Sequence, residues 1–174
     1  MKVVVLTGPE SSGKSWLAAK IHERFGGVLV NEFVRHFIEM HERDTRYTDI
    51  PAIAHGQLES EDQARAMKPG LLILDTHLLS NMLWSKTLFG DCPAWVEPAL
   101  QARHYDLHLL LDPVGVEWTG DGQRCQPELA ARQAFFRATR QWLDDHHQNY
   151  QVVEGDWPQR RELALAAIER LLAS

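Results

Sequence analysis

The sequence predicts an α/β fold in three layers, a parallel β-sheet with helices packed on both faces. Short apolar runs of strand length alternate with helix-length stretches along the whole chain, the pattern of βα units feeding a parallel sheet. The chain opens with "KVVVLTGPESSGKS", a strand that stops at one glycine and continues as a helix after a second. Its 174 residues suit one core and leave no room for a second domain of ordinary size, so residues 1–174 are read as one domain.

The first strand, 3–7, is Val-Val-Val-Leu-Thr. It feeds a glycine-rich turn and a helix over 14–25, after which Gly26-Gly27 makes a tight entry to a short strand at 28–30. A helix over 33–42 is followed by an irregular stretch, 43–50, and by a helix over 51–68. That helix opens on Pro51, which suits a first turn because its missing N–H would have no partner there. Pro69-Gly70 turns the chain into the strand 71–74, an apolar Leu-Leu-Ile-Leu run suited to the centre of a sheet. Helices over 78–89 and 93–104 precede the strand 107–111. A second irregular stretch, 113–126, leads to a helix over 127–146, a strand at 151–153 and a last helix over 158–172. Irregular stretches of this length in a compact domain commonly serve as lids or binding loops, and 113–132 is read as the lid region.

Composition narrows the function. Eighteen Lys and Arg against 24 Asp and Glu give a formal charge of -6, so no broad basic surface is available for a nucleic-acid backbone or anionic lipid. Cys92 and Cys125 lie far apart without a metal-ligand spacing, which argues for idle thiols in a reducing cytosol. No apolar run has the length of a membrane span or the shape of a signal peptide; the expectation is a soluble cytoplasmic protein. The nine histidines form no H-E-x-x-H motif, and His146-His147 at a helix end complements the helix dipole.

Gly8-Pro9-Glu10-Ser11-Ser12-Gly13-Lys14-Ser15 satisfies G-x-x-x-x-G-K-[ST] in full, between a predicted strand and a predicted helix. In that setting consecutive backbone N–H groups and the positive helix end converge on one anion. Glu10, Ser11, Ser12 and Trp16 belong to or adjoin this nucleotide cradle; Lys14 would reach the outer phosphates of ATP, and the Ser15 hydroxyl would ligate Mg²⁺. No G-x-G-x-x-G follows the first strand, which argues against a dinucleotide turn. Asp75 ends the apolar run 71–74 at the sheet edge where ligands bind; it could hold Mg²⁺, accept a substrate hydroxyl, or cap the next helix. Glu32 follows the second strand, where a carboxylate could take the proton of an attacking hydroxyl, and Arg35 one turn on could pair with it or with substrate. In the lid, Arg124 could close over the phosphates and Trp118 could stack on a ligand. Arg132 falls in the apolar stripe of its helix with Leu129, Phe135, Phe136, Trp142 and Leu143, the place of an inward phosphate ligand or of an arginine whose stem snorkels outward.

The ordered set "GPESSGKS", "NEFVR", "IAHGQLESEDQA", "LLILDTHLL", "LFGDCPAW", "YDLHLLLD", "EWTGDGQR" and "VVEGDWPQR" resembles the ribosylnicotinamide kinase domain of the NadR family over nearly the whole chain. The resemblance implies a P-loop NTPase fold with the sheet ordered 2-3-1-4-5, and transfer of the γ-phosphate of ATP to the 5′-hydroxyl of nicotinamide riboside, giving nicotinamide mononucleotide for NAD synthesis. The implied ligands are ATP, Mg²⁺ and a small hydroxyl acceptor, with no nucleic acid or membrane partner. Carried over by motif, Gly8, Gly13, Lys14 and Ser15 match the ATP cradle, Glu32 and Arg35 an E-x-x-R, Asp75 a D-T, and Asp121, Gly122 and Arg124 the lid's D-G-x-R. Asp156 and Arg160 match a late D-x-x-x-R placed near the adenine, while Asn31 and Gln57 fall in the implied acceptor segments. Three positions depart from the pattern: Asn31 and Ser60 stand where the family carries aromatics, and Glu117 where it carries proline. If those aromatics stack on nicotinamide, the acceptor compartment of this chain is built differently. Another nucleoside or metabolite as acceptor, or a regulatory ATP-binding module, are the alternatives.

Overall fold

A computed structural model describes residues 1–120 and 124–174. Its strands are β1 (Lys2–Thr7), β2 (Val28–Val30), β3 (Leu71–Asp75), β4 (Leu107–Leu111) and β5 (Tyr150–Val153). The helices are α1 (Lys14–Phe25), α2 (Phe33–His41), α3 (Ile50–Ala66), α4 (Leu78–Phe89), α5 (Val96–Gln101), α6 (Leu129–Asp145) and α7 (Trp157–Ala173). The five strands form one sheet in the order β2-β3-β1-β4-β5, every neighbouring pair parallel, as the resemblance implies.

Alternation along β1 divides the core. Val3 and Val5 pack with Leu72, Leu74, Leu79 and Leu143 on the face covered by α3 to α6, whereas Val4 and Leu6 pack with Leu17, Ile21, Ile73 and Ile168 on the face covered by α1 and α7. A strand buried on both faces is apolar at most positions, which is why β1, β3 and β4 read as nearly continuous runs, interrupted by the buried Thr7, Asp75 and His108. β1 and β3 lie side by side, but the helices that follow them, α1 and α4, leave on opposite faces. That divergence opens a crevice at the carboxyl edge of the sheet, where the glycine-rich loop and Asp75 both emerge.

Several boundaries differ for local reasons. The helix expected over 93–104 is only Val96–Gln101, because Asp91 holds a turn before it: its Oδ1 accepts from Cys92 N at 2.8 Å, and its carbonyl accepts from Ser85 Oγ at 2.7 Å. The stretch 43–50 contains a 3₁₀ turn, Tyr47–Asp49, pinned by Asp49, which accepts from Arg46 N at 2.8 Å and pairs with Arg43 at 2.7 Å. Leu129 is exposed in the first turn of α6, outside the buried stripe of Arg132, Phe135, Thr139 and Leu143. Among the described residues no helix is long and apolar enough to cross a membrane.

Candidate active site

Backbone conformation makes the cradle. Gly8 has φ 131°, and a Cβ there would lie 2.7 Å from the Leu111 carbonyl oxygen of β4; Gly13 has φ 95°, and a Cβ there would run into the Trp157 ring. Ser12 is buried and faces inward, donating to Pro9 O at 2.7 Å, so it braces the loop from within. Lys14 curls over the same loop, with Nζ 3.1 Å from Gly8 O and 2.7 Å from Pro9 O. Burial pushes its pKa down, opposed by the carboxylates of Glu32 and Asp75. A phosphate placed in the loop offers that ammonium a charged acceptor in exchange for two carbonyls.

Asp75 is turned into the crevice by its neighbour. Thr76 adopts φ 69°, and the cap position of α4 passes to His77, so the reading of Asp75 as a helix cap does not hold. Its Oδ2 accepts from Ser15 Oγ at 2.6 Å, while its Oδ1 is buried without a hydrogen-bond partner. A hydroxyl and a carboxylate oxygen side by side beside a phosphate loop are the donor set that Mg²⁺ takes, with waters and phosphate oxygens filling its shell. Among the described residues no group of three or more His, Cys, Asp or Glu forms an all-protein metal cage; Ser15 and Asp75 are the residues that would hold such an ion.

Across the crevice Glu32 pairs with Arg35 at 3.0 Å. Burial holds the Glu32 carboxyl above the usual glutamate range despite the pull of Lys14, which is the bias expected of a group that must accept a proton. One cavity of about 260 Å³ joins these parts, running from Gly8, Lys14 and Ser15 past Glu32 and Arg35 to Asn81 and Trp84.

The lid is fastened to the loop by Glu10. Its Oε1 accepts from Cys125 N and Gln126 N, both at 3.0 Å, and its Oε2 accepts from Trp118 Nε1 at 2.9 Å. Ser11 Oγ adds contacts to Thr119 N at 3.1 Å and Thr119 O at 3.3 Å. Glu10, expected to hold nucleotide, is thus engaged by the lid, and Trp118, expected to stack on a ligand, spends its indole N–H on that carboxylate. Arg124 lines the cavity and donates to Thr119 O. Arg132 is 4% exposed, so its stem does not reach solvent; it is not among the residues lining the cavity, and its Nε and Nη1 have no hydrogen-bond partner among the described residues. A buried guanidinium in that state calls for an anion.

Four of the expected ligand residues make other contacts or stand outside the cavity lining. Arg160 is fully buried and donates to Gly155 O, Asp112 O and Val114 O at 2.7 Å each and to Ser12 O at 3.2 Å. Asp156 caps α7, accepting from Gln159 N at 2.9 Å. Gln57 is buried and is not among the residues lining the cavity; its Oε1 accepts from Phe33 N at 3.1 Å, and its Nε2 has no hydrogen-bond partner among the described residues. Asn31 is exposed and does not line the cavity. Asp121 and Gly122 lie outside the described residues. Trp16 does line the cavity, edge-on to Trp157 with ring centroids 5.0 Å apart. Sequence reasoning misses Trp157, Phe135 and the α4 residues Ser80, Asn81 and Trp84, which also line it. The i, i+1, i+4 spacing of 80, 81 and 84 puts them on one helical face, but nothing local says which face would meet the ligand.

Residues 3–160 match the family model described as AAA domain, AAA_28. The trifunctional NAD biosynthesis/regulator proteins NadR of Salmonella typhimurium and Escherichia coli are 26% identical over 165 residues. The match covers 92% of this chain and only 40% of those relatives' length. A crystal structure of NadR protein in complex with NR superposes with a TM-score of 0.80 at 21% identity, covering 99% of this chain and 52% of that one. Deoxyadenosine kinase from M. mycoides with bound dATP gives 0.69 at 14% identity, covering 97% of this chain and 100% of that one.

Proposed function

The chain belongs to the AAA_28 family of AAA domains, and from that premise we propose that it is an ATP-dependent nucleoside kinase that phosphorylates the 5′-hydroxyl of nicotinamide riboside. The observation that carries this reading is the continuity of the cavity, which joins a phosphate cradle to a second, largely apolar compartment past Glu32. A module that only senses nucleotide has no use for the second compartment. Likeness to NadR, one structure of which is described as a complex with NR, supports nicotinamide riboside, and the product would serve NAD synthesis.

In this reading the loop N–H groups and Lys14 bind the β- and γ-phosphates, and Ser15 with Asp75 holds Mg²⁺. When bound, the ion neutralises charge on the phosphate oxygens. The acceptor oxygen bonds to the γ-phosphorus as the bond to the β,γ-bridging oxygen breaks, ADP leaves, and the hydroxyl proton passes to Glu32. Asp75 already takes the Ser15 hydroxyl, which favours Glu32 over Asp75 as the base. Arg124 and Arg132 supply positive charge for the moving phosphoryl group, and the lid excludes water.

The test is mass-resolved product analysis with Mg-ATP and nicotinamide riboside, beside ribosides of other bases. Nicotinamide mononucleotide formed stoichiometrically with ADP is the expected result. Lys14→Ala should lower turnover at least about 100-fold without unfolding the chain; near wild-type turnover in that variant refutes the cradle assignment. ADP formed only with another nucleoside keeps the kinase and changes the acceptor, and binding without any phosphorylation favours a regulatory module.

A further inference from the structure

Resting on the kinase reading, we propose that Asn81 and Trp84 are the specificity pair of the acceptor compartment, selecting a nucleoside whose flat ring carries a hydrogen-bond acceptor on its edge. Among the described residues Asn81 Nδ2 makes no hydrogen bond to the phosphate loop, and the Trp84 indole lies against the Cys125 thiol of the lid. Both line the cavity from α4, three residues apart and so on one face. Asn81 is 8% exposed, and its Nδ2 is buried without a hydrogen-bond partner among the described residues. A buried amide N–H is costly to leave unpaired, so its presence at a cavity wall points to an acceptor atom brought by the ligand.

The surroundings define the rest of that ligand. Val34 and Ile38 of α2, Ile53 of α3 and Phe135 of α6 line the same cavity, making a compartment suited to a ring rather than to a chain of polar groups. Trp84 adds an indole to the same lining, with its large flat surface for stacking. Asn31 is exposed, and Ser60 donates to its own helix at Gly56 O, 2.9 Å away, so neither of these polar residues reaches the compartment. The helix that presents the pair is fixed at both ends: Ser80 Oγ lies 3.3 Å from Thr7 Oγ1 of β1, and Ser85 Oγ donates to Asp91 O at 2.7 Å. A rigid helix can hold a donor and a stacking surface at a set spacing, which is what discrimination between rings requires.

The experiment compares the full chain with Asn81→Leu, Trp84→Ala and Trp84→Phe, measuring KM for riboside, KM for ATP and thermal midpoint. Nicotinamide riboside and a pyridine riboside without the carboxamide are the probes. Asn81→Leu should raise the nicotinamide riboside KM roughly 10- to 100-fold and erase the preference over the analogue, with the ATP KM within about twofold of wild type. Trp84→Ala should raise the riboside KM roughly tenfold, and Trp84→Phe should restore most of it because a ring is returned. A riboside KM unchanged within about twofold in both Asn81→Leu and Trp84→Ala overturns the assignment. A drop in midpoint with both KM values moving together also overturns it, because the pair would then serve only general packing. If wild type phosphorylates a different nucleoside, the same variants are judged on that nucleoside. If wild type phosphorylates none, the kinase reading falls and takes this inference with it.

Discussion

Replacing Arg160 separates two roles that its place in a D-x-x-x-R motif leaves open. As a nucleotide ligand it would affect ATP binding and leave stability alone; as the structure has it, the guanidinium ties Ser12 of the cradle, Asp112 after β4, Val114 at the start of the lid and Gly155 before α7. Hydrogen bonds from a charged donor contribute about 1.5–3 kcal/mol each, and some of the four carbonyls will recover water in a variant. A loss of about 4 kcal/mol in Arg160→Ala is therefore expected, comparable with breaking a buried ion pair. For a chain of this size that lowers the thermal midpoint by roughly 8–16 °C. Arg160→Lys keeps the charge, but a single ammonium cannot span four carbonyls, so about half the loss should remain. The assay is thermal unfolding followed by circular dichroism, with ATP affinity measured at a temperature where both variants are folded. A midpoint within about 3 °C of wild type together with weakened ATP binding would refute the bracing role.

Three further outcomes follow from the same contacts. Glu10→Ala should release the lid, raising the ATP KM roughly tenfold and speeding labelling of the Cys125 thiol in a Cys92→Ser background; unchanged labelling counts against the fastening. Asp156→Ala should cost about 1 kcal/mol as a lost helix cap and leave the ATP KM alone, and a large KM change would return Asp156 to the ligand. His108 is buried, with Nε2 3.3 Å from His77 Nε2, and burial lowers its pKa from 6.5 to about 4. The unfolded chain therefore binds the extra proton between those values, so unfolding free energy should be level above pH 6.5 and fall as pH drops toward 4 by up to about 1.4 kcal/mol per unit for this group. Denaturant titrations at pH 7.5, 6 and 5 read it directly, and a flat profile rejects it.

The phosphate end of the site was legible because it is local. A strand, eight consecutive residues and a helix build the cradle, and Ser15 needs only the end of the adjacent strand β3 to find Asp75. The sheet was legible for a related reason: strands buried on both faces carry mostly apolar residues, so β1, β3 and β4 stand out even with His108 buried among them. The acceptor end was not legible. Its walls come from α2, α3, α4 and α6, and each helix contributes a few residues whose direction depends on how the helices pack. The same limit applies to Arg160, Gln57 and Trp118: motif spacing says that a polar group is needed near the site, and only packing shows the backbone and side-chain partners each one takes.

Glu10 shows why that distinction matters for mechanism. A carboxylate inside a phosphate loop opposes the charge the loop must bind, and on Coulombic grounds it should be a liability. Its two oxygens are instead occupied by three N–H donors of the lid, from Trp118, Cys125 and Gln126. The lid thereby shields the carboxylate, and the carboxylate holds the residues on either side of Arg124 against the cradle. Moving the lid away would uncover Glu10 beside any phosphate bound in the loop, so repulsion between the two anions penalises the open, nucleotide-loaded state. Binding at the cradle and closure over it are then linked by one side chain, and the linkage should weaken in high salt. Glu10→Gln removes that repulsion while keeping one acceptor oxygen. The lid would then open more easily around bound ATP, and Cys125 labelling measured with ATP present should be faster in Glu10→Gln than in wild type by roughly severalfold. Equal labelling rates with ATP bound would show that hydrogen bonding alone, without charge, holds the lid.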